Sequence, residues 1–219
     1  MGIKKYHDFI SESYETLDRI KAEKKDKPRA DVKEVAEKIL RDCQPFLKEL
    51  RGTDNFIYRG YMRGLTNVDS INKISARKDR KPLHTDRFLH DEFDFYFEER
   101  FGVRPRSEGV FGTGYYNQAG LYGKPYLFFP IGDFDFYWSE EVFDLHAYLN
   151  DKVGHLPKVK KWTSEDKRFA SELIEDMVND FYTDENLLSA INEEGEIIFM
   201  CDEYYLVDEN LERELSKLI

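Results

Sequence analysis

Cysteine is scarce in this chain: Cys43 and Cys201 are the only two among 219 residues. Two thiols build neither a disulfide framework nor a cysteine-rich zinc site, so a reducing compartment is expected. No apolar run approaches the roughly 18–20 residues that a membrane span needs, which excludes a transmembrane helix. The opening stretch MGIKKYHDFISESYETL holds no apolar segment, so secretion is not expected and an intracellular, cytoplasmic location is. A P-loop, a dinucleotide glycine fingerprint and a GxSxG elbow are all missing. Basic charge is also in deficit. The net charge is −11, and residues 111–219 hold 9 basic against 23 acidic side chains. That sign disfavours a wide nucleic-acid footprint. It leaves room for a local basic groove in the middle third, from Arg59, Arg63, Arg77, Lys78, Arg80, Lys81, Arg87, Arg100, Arg104 and Arg106.

What is abundant is aromatic: 17 Phe and 14 Tyr, with apolar residues at 41% in all. This suffices for one compact domain, with or without a helical appendage. Residues 1–52 read as an N-terminal helical segment. Tyr6, Phe9, Ile10, Leu17 and Ile20 mark one helix, and Val32, Val35, Ala36, Ile39, Leu40, Cys43 and Leu47 a second. Residues 53–219 form the main domain. Asn55–Tyr61 reads as a strand, 62–83 as a long polar loop, and His84–Phe101 as a helix stopped by Gly102. Short strands are expected at Gly109–Thr113, Tyr126–Ile131 and Phe134–Trp138, with a short helix over Tyr115–Tyr122. Ser139 fits the cap of a helix reaching Leu149, and Thr163 with Asp166 a capping box. Phe169, Leu173, Ile174, Met177, Val178 and Phe181 mark that later helix. Glu196–Met200 and Tyr204–Val207 read as a hairpin, and the last ten residues as a charged helix or tail. The mixture points to an α+β fold.

Three segments hold residue types suited to chemistry. In Ile57-Tyr58-Arg59-Gly60 a guanidinium stands inside an apolar strand pattern, where it needs an anionic partner; its planar donor fork suits phosphate. In Val110-Phe111-Gly112-Thr113-Gly114 small residues flank one hydroxyl beside Phe111, Tyr115 and Tyr116, a setting for a flat heterocycle and its sugar. In Glu194-Gly195-Glu196, before an apolar strand, two carboxylates share a side if the backbone is extended. One can then stabilise a cation while the other handles a proton. His84, Asp86, His90, Asp91 and Asp94 lack the spacing of a metal site, so no metal is expected. Each motif also has a bland reading: an edge-strand arginine, a tight turn, a solvated acidic turn.

In this order, the three segments resemble the mono-ADP-ribosyltransferase family of the Arg–Ser/Thr–Glu type, and phage-encoded members most in general appearance. VFGTGYYNQAGLYG is similar to the family's Ser/Thr strand and following helix, and EGEIIFMCDEYYLV to its closing acidic motif. The resemblance covers about residues 55–207. It implies an ADP-ribosyltransferase-like core of two small antiparallel sheets, and a catalytic domain in 53–219. NAD is then the substrate, with no metal, and the cytoplasm would be the host cell's if the chain is phage-encoded. Glu196 would stabilise the oxocarbenium ion, and Glu194 would meet the nucleophile. Arg59 with Gly60 would hold the nucleotide, Thr113 would brace Glu196, and Phe111, Tyr115 or Tyr116 would line or stack on the cofactor. Glutamate at 194 goes with arginine acceptors in the family, so a protein arginine is the first acceptor expected. Nucleic acid is less favoured, and no membrane partner is implied. Gly112-Thr113-Gly114 keeps one hydroxyl of the family's Ser-Thr-Ser. That motivates the alternatives: a non-catalytic interaction protein on this scaffold, an NAD glycohydrolase, or a transferase acting on nucleic acid.

Overall fold

The computed structural model describes residues 32–51, 53, 55–62, 70–81, 86–153, 162–193 and 195–219, all within the compact unit Val32–Ile219. The expected helix over Tyr6–Ile20 and the residues Arg63, His84 and Glu194 lie outside the described residues.

The fold is α+β. Helices α1 (Val32–Asp42) and α2 (Gln44–Glu49) come first, and α1 turns Val35, Ala36 and Ile39 inward. Strands β1 (Tyr58–Tyr61) and β2 (Ile71–Ser75) precede helix α3 (Arg87–Phe101) and the single turn α4 (Pro105–Glu108). Strand β3 (Val110–Gly112), helix α5 (Tyr116–Gly120), β4 (Lys124–Ile131) and β5 (Asp135–Tyr137) follow. Then come α6 (Leu145–Val153), α7 (Ser164–Phe181), α8 (Leu187–Asn192), β6 (Ile197–Met200), β7 (Glu203–Asp208) and α9 (Glu212–Leu215).

The strands form two antiparallel sheets, ordered β1-β4-β7-β2 and β3-β6-β5. A bridge ties them: Tyr58 N donates to Thr113 O at 2.8 Å, and Thr113 N to Tyr58 O at 2.9 Å. Aromatic rings fill the space between the sheets. Phe199 of β6 lies 4.9 Å from Phe128 of β4, and Phe46 of α2 packs edge-on against both Phe129 and Phe199. The preceding residue of β6, Ile198, belongs to a second core with Phe93, Phe97, Leu145, Leu149, Ile174 and Met177 from α3, α6 and α7. Strand β6 is thus covered on both faces, which explains its unbroken apolar run.

Four sequence expectations change. Ile197–Met200 and Glu203–Asp208 are not a hairpin: β6 pairs with β3 and β5, while β7 pairs with β4 and β2. Each strand satisfies its ladder elsewhere, and Cys201-Asp202 carries the chain between sheets. The long polar loop contains β2, an edge strand whose half-exposed INKIS carries too little apolar alternation to stand out; Lys73 on it pairs with Glu203 at 2.7 Å. Ser139 caps a turn, accepting from Glu141 N and Val142 N, and α6 starts only at Leu145, with Asp144 accepting from Ala147 N at 2.7 Å. Phe169 and Phe181 of α7 face outward, and Ala170, Ile174, Met177 and Val178 form the buried stripe. By contrast, Gly102 ends α3 in the left-handed region (φ 75°), and Thr163 and Asp166 form the reciprocal capping box. Among the described residues no helix is long and apolar enough to cross a membrane.

Candidate functional site

The bridge between the sheets sets the site. Arg59 follows Tyr58 directly, so the first residue beyond the bridge on β1 is a cation. Its Nη1 donates to the Phe111 carbonyl on β3, and its guanidinium lies 5.7 Å from the Tyr204 ring. Its Nε is buried without a hydrogen-bond partner among the described residues. Two more arginines reach the same place. Arg80 lies 4.7 Å over the Phe111 ring and donates to Gly109 O at 2.7 Å. Arg106 lies over the same ring at 5.2 Å.

Arg106 is held by a buried carboxylate. Asp94 of α3, fully out of solvent, accepts from Arg106 N at 2.7 Å, from Ser107 N at 3.1 Å and from the Ser107 hydroxyl. His90 Nε2 sits 3.2 Å from Ser107 Oγ. Burial holds His90 below its ordinary value, so it is neutral near pH 7. This polar cluster anchors α4 to α3. It is how the chain uses two residues that the sequence weighs as metal ligands. Among the described residues no group of three His, Cys, Asp or Glu side chains is placed to hold a metal.

Glu196 faces the arginines from the start of β6, one residue before the Ile197–Gly112 pair. Its N–H donates to Phe143 O at 3.2 Å. The residue is half-buried, yet its carboxyl is so far from water that desolvation pushes it up to about 7. Arg106, Arg80 and Arg59 pull it down, and Asp144 adds to the upward shift. Burial therefore outweighs the three cations. Arg80 shows the complementary effect. Burial, with repulsion from Arg59 and Arg106, lowers it to about 10. Tyr122 and Tyr182, both pushed up first by burial, also feel Glu196.

The structure brings Arg59, Phe111 and Glu196 together. Thr113 is adjacent and buried, but its hydroxyl accepts from Tyr115 N at 3.2 Å and makes no bond to Glu196. Tyr115 and Tyr116 are largely exposed; Tyr115 donates to Asn192 O, and Tyr116 meets Tyr58 edge-on at 5.6 Å. Phe111 already carries two guanidiniums, so its ring serves as their platform. The small residues of the motifs serve packing. A Cβ on Gly60 would lie 2.1 Å from Ala119 O, and one on Gly114 would lie 1.7 Å from Ile191 O. Close approach by α5 and α8 requires glycine there.

Among the described residues the basic side chains read as a groove divide between two settings. Arg80 and Arg106 turn toward Arg59. Arg100 bonds to Val178 O, while Arg77, Lys78 and Arg87 pair with nearby carboxylates in solvent. Nothing in RKDRKP distinguishes Arg80 from its neighbours, which is why sequence reasoning misses it. A hollow of about 380 Å³ is lined by Phe95, Tyr96, Glu99, Arg100, Glu175 and Asn179, and holds none of Arg59, Phe111, Thr113 and Glu196. The chain matches no protein-family model, and neither the curated proteins nor the solved structures give a match.

Proposed function

We propose that the protein is an NAD-dependent mono-ADP-ribosyltransferase that transfers ADP-ribose to a protein side chain, arginine first, through an ADP-ribosyltransferase-like core. The observation that supports this reading is the meeting of Arg59 and Glu196 across the seam between the two sheets, with a hydroxyl residue, Thr113, at the bridge. Arg59 and Glu196 come from motifs far apart in sequence, and their charges act on one another in space.

The chemistry follows from charge. Cleaving the nicotinamide–ribose bond spreads positive charge over the ribose ring in an oxocarbenium-like transition state. The electron pair leaves with nicotinamide, and the acceptor nitrogen then bonds to the ribose carbon and loses a proton. A carboxylate near the ribose favours that state over the ground state, which is the source of rate. Glu196 has that role here. Arg59 holds the anionic part of NAD, and Thr113 shapes the turn beside it.

Incubating the protein with labelled NAD and cell lysate tests the reading. Transfer to protein is expected in the wild type. Glu196→Gln should reduce it ~100- to 1,000-fold with circular dichroism unchanged. The rate should rise with pH through about 7 as the carboxyl ionises. Equal activity in the variant would overturn the assignment. Release of free ADP-ribose without acceptor labelling would mark a glycohydrolase instead.

A further inference from the structure

Helices α3 and α7 pack side by side and leave the hollow of about 380 Å³ between them. Phe95, Tyr96, Glu99 and Arg100 line it from α3, and Glu175 and Asn179, four residues apart, line it from α7. None of these residues belongs to the three motifs that suggest a function. Two aromatic rings make one corner of it. Tyr96 is fixed from α7: its hydroxyl lies 2.9 Å from Ser171 Oγ, and Ser171 donates in turn to Glu92. Phe95 meets the Tyr96 ring edge-on at 5.1 Å and stays 52% exposed. Its ring is held by its neighbour yet open to water, and an open aromatic face attracts a cation.

Charge points the same way. Arg87 pairs with Asp91, Arg104 with Glu98 and Arg168 with Glu172, and none of these acids is in the lining. Glu99 and Glu175, the two carboxylates that are, make no ion pair among the described residues. The Ser171 hydrogen bond favours ionised Tyr96, but burial and the charges of Glu175 and Glu92 outweigh it, so Glu175 stands close to that ring. Arg100, the cation of the lining, donates to the Val178 carbonyl and lies 4.5 Å over the Phe101 ring. Its fork is thus taken by a neutral group rather than by either glutamate.

We propose that this hollow docks an arginine side chain carried on a basic segment of a partner protein, stacked on the Phe95–Tyr96 corner and paired with Glu99 and Glu175. A guanidinium has the flat face that an aromatic ring takes and the planar donor fork that carboxylates take, and it loses less hydration than an ammonium does. The two kinds of partner stand on opposite helices only in part: Glu99 shares α3 with both rings, and Glu175 closes the hollow from α7. The chain's net charge of −11 draws basic partners to the whole surface. The aromatic corner is what makes this one place selective. The site does not depend on the transfer reaction, and its test uses no NAD.

The test is calorimetric titration of the whole protein with three short peptides of equal length: oligo-arginine, oligo-lysine and oligo-citrulline, the last a neutral copy of the first. The arginine peptide should bind, more tightly than the lysine peptide, and the citrulline peptide should not. Phe95, Glu99 and Glu175 are exposed, so substitutions there should leave circular dichroism unchanged. Phe95→Ala should weaken the arginine peptide about fivefold, and Glu99→Gln with Glu175→Gln about tenfold. Glu172→Gln is the control: it removes the same charge from the same helix, at a carboxylate already paired with Arg168. It should leave binding as in the wild type. Absence of arginine-peptide binding to the wild type overturns the proposal. So does a loss in Glu172→Gln as large as that in Glu175→Gln, which would show attraction to the acidic surface at large. Equal affinity for the lysine peptide, or binding untouched by Phe95→Ala, overturns the stacked guanidinium.

Discussion

At Glu196, burial and three guanidiniums act in opposite directions, and burial wins. The carboxyl is raised from 4.5 to about 7, so the folded state favours the protonated form. The stability that this group contributes is complete below about pH 4.5, declines as the pH climbs, and is lost by the time the pH has passed about 7. The full swing is ~3 kcal/mol. Glu196→Gln imitates the protonated state. Its melting temperature should exceed the wild type's at pH 8 and coincide with it near pH 4.5. A gap that does not change with pH would show that Glu196 titrates normally in the fold. His90 has the opposite dependence. Held neutral by burial, it opposes folding as the pH drops below its ordinary range and the ring must charge.

Elements here start and stop through short polar contacts, and their strength can be measured one at a time. The Thr163–Asp166 box opens α7, whose buried stripe of Ala170, Ile174, Met177 and Val178 meets α3. Thr163→Ala removes a hydrogen bond to Asp166 N and one from the threonine hydroxyl to the aspartate. The loss should be ~1 kcal/mol, read as a fall of about 2–4 °C in melting temperature, with Thr163→Ser close to wild type. Asp144 shows why caps are hard to assign from sequence. Ser139 has the right chemistry and the right position before two glutamates, yet its hydroxyl closes a turn, and the helix waits five residues for a carboxylate.

For the whole molecule the decisive contact is β6 between two cores. Phe199 touches Phe46, Phe128 and Phe134 on one side, while Ile198 faces the helices on the other. Phe199→Ala opens a cavity between the sheets and should cost ~3–5 kcal/mol, measured from the urea midpoint. Because Glu196 precedes this same strand, the variant should also loosen the seam and lower transfer from labelled NAD. A stability loss below about 1 kcal/mol would mean that the two sheets are held together elsewhere.

Periodicity and composition alone were enough for the existence of α7 and its capping box, the left-handed stop at Gly102, the apolar runs of β4 and β6, and the anomaly of a charge at Arg59, because each depends on neighbours close in the chain. Which strands pair, that β6 and β7 part into different sheets, and that β2 exists at all depend on ladders between distant segments. The arginine cluster is likewise a tertiary product. Arg80 and Arg106 have the same side chain as their surface neighbours, and only the docking of α4 by Asp94 and the Phe111 platform brings them to face Glu196. Local spacing fixes the face a residue occupies on its element, but the field acting on its charge comes from whichever elements fold against it.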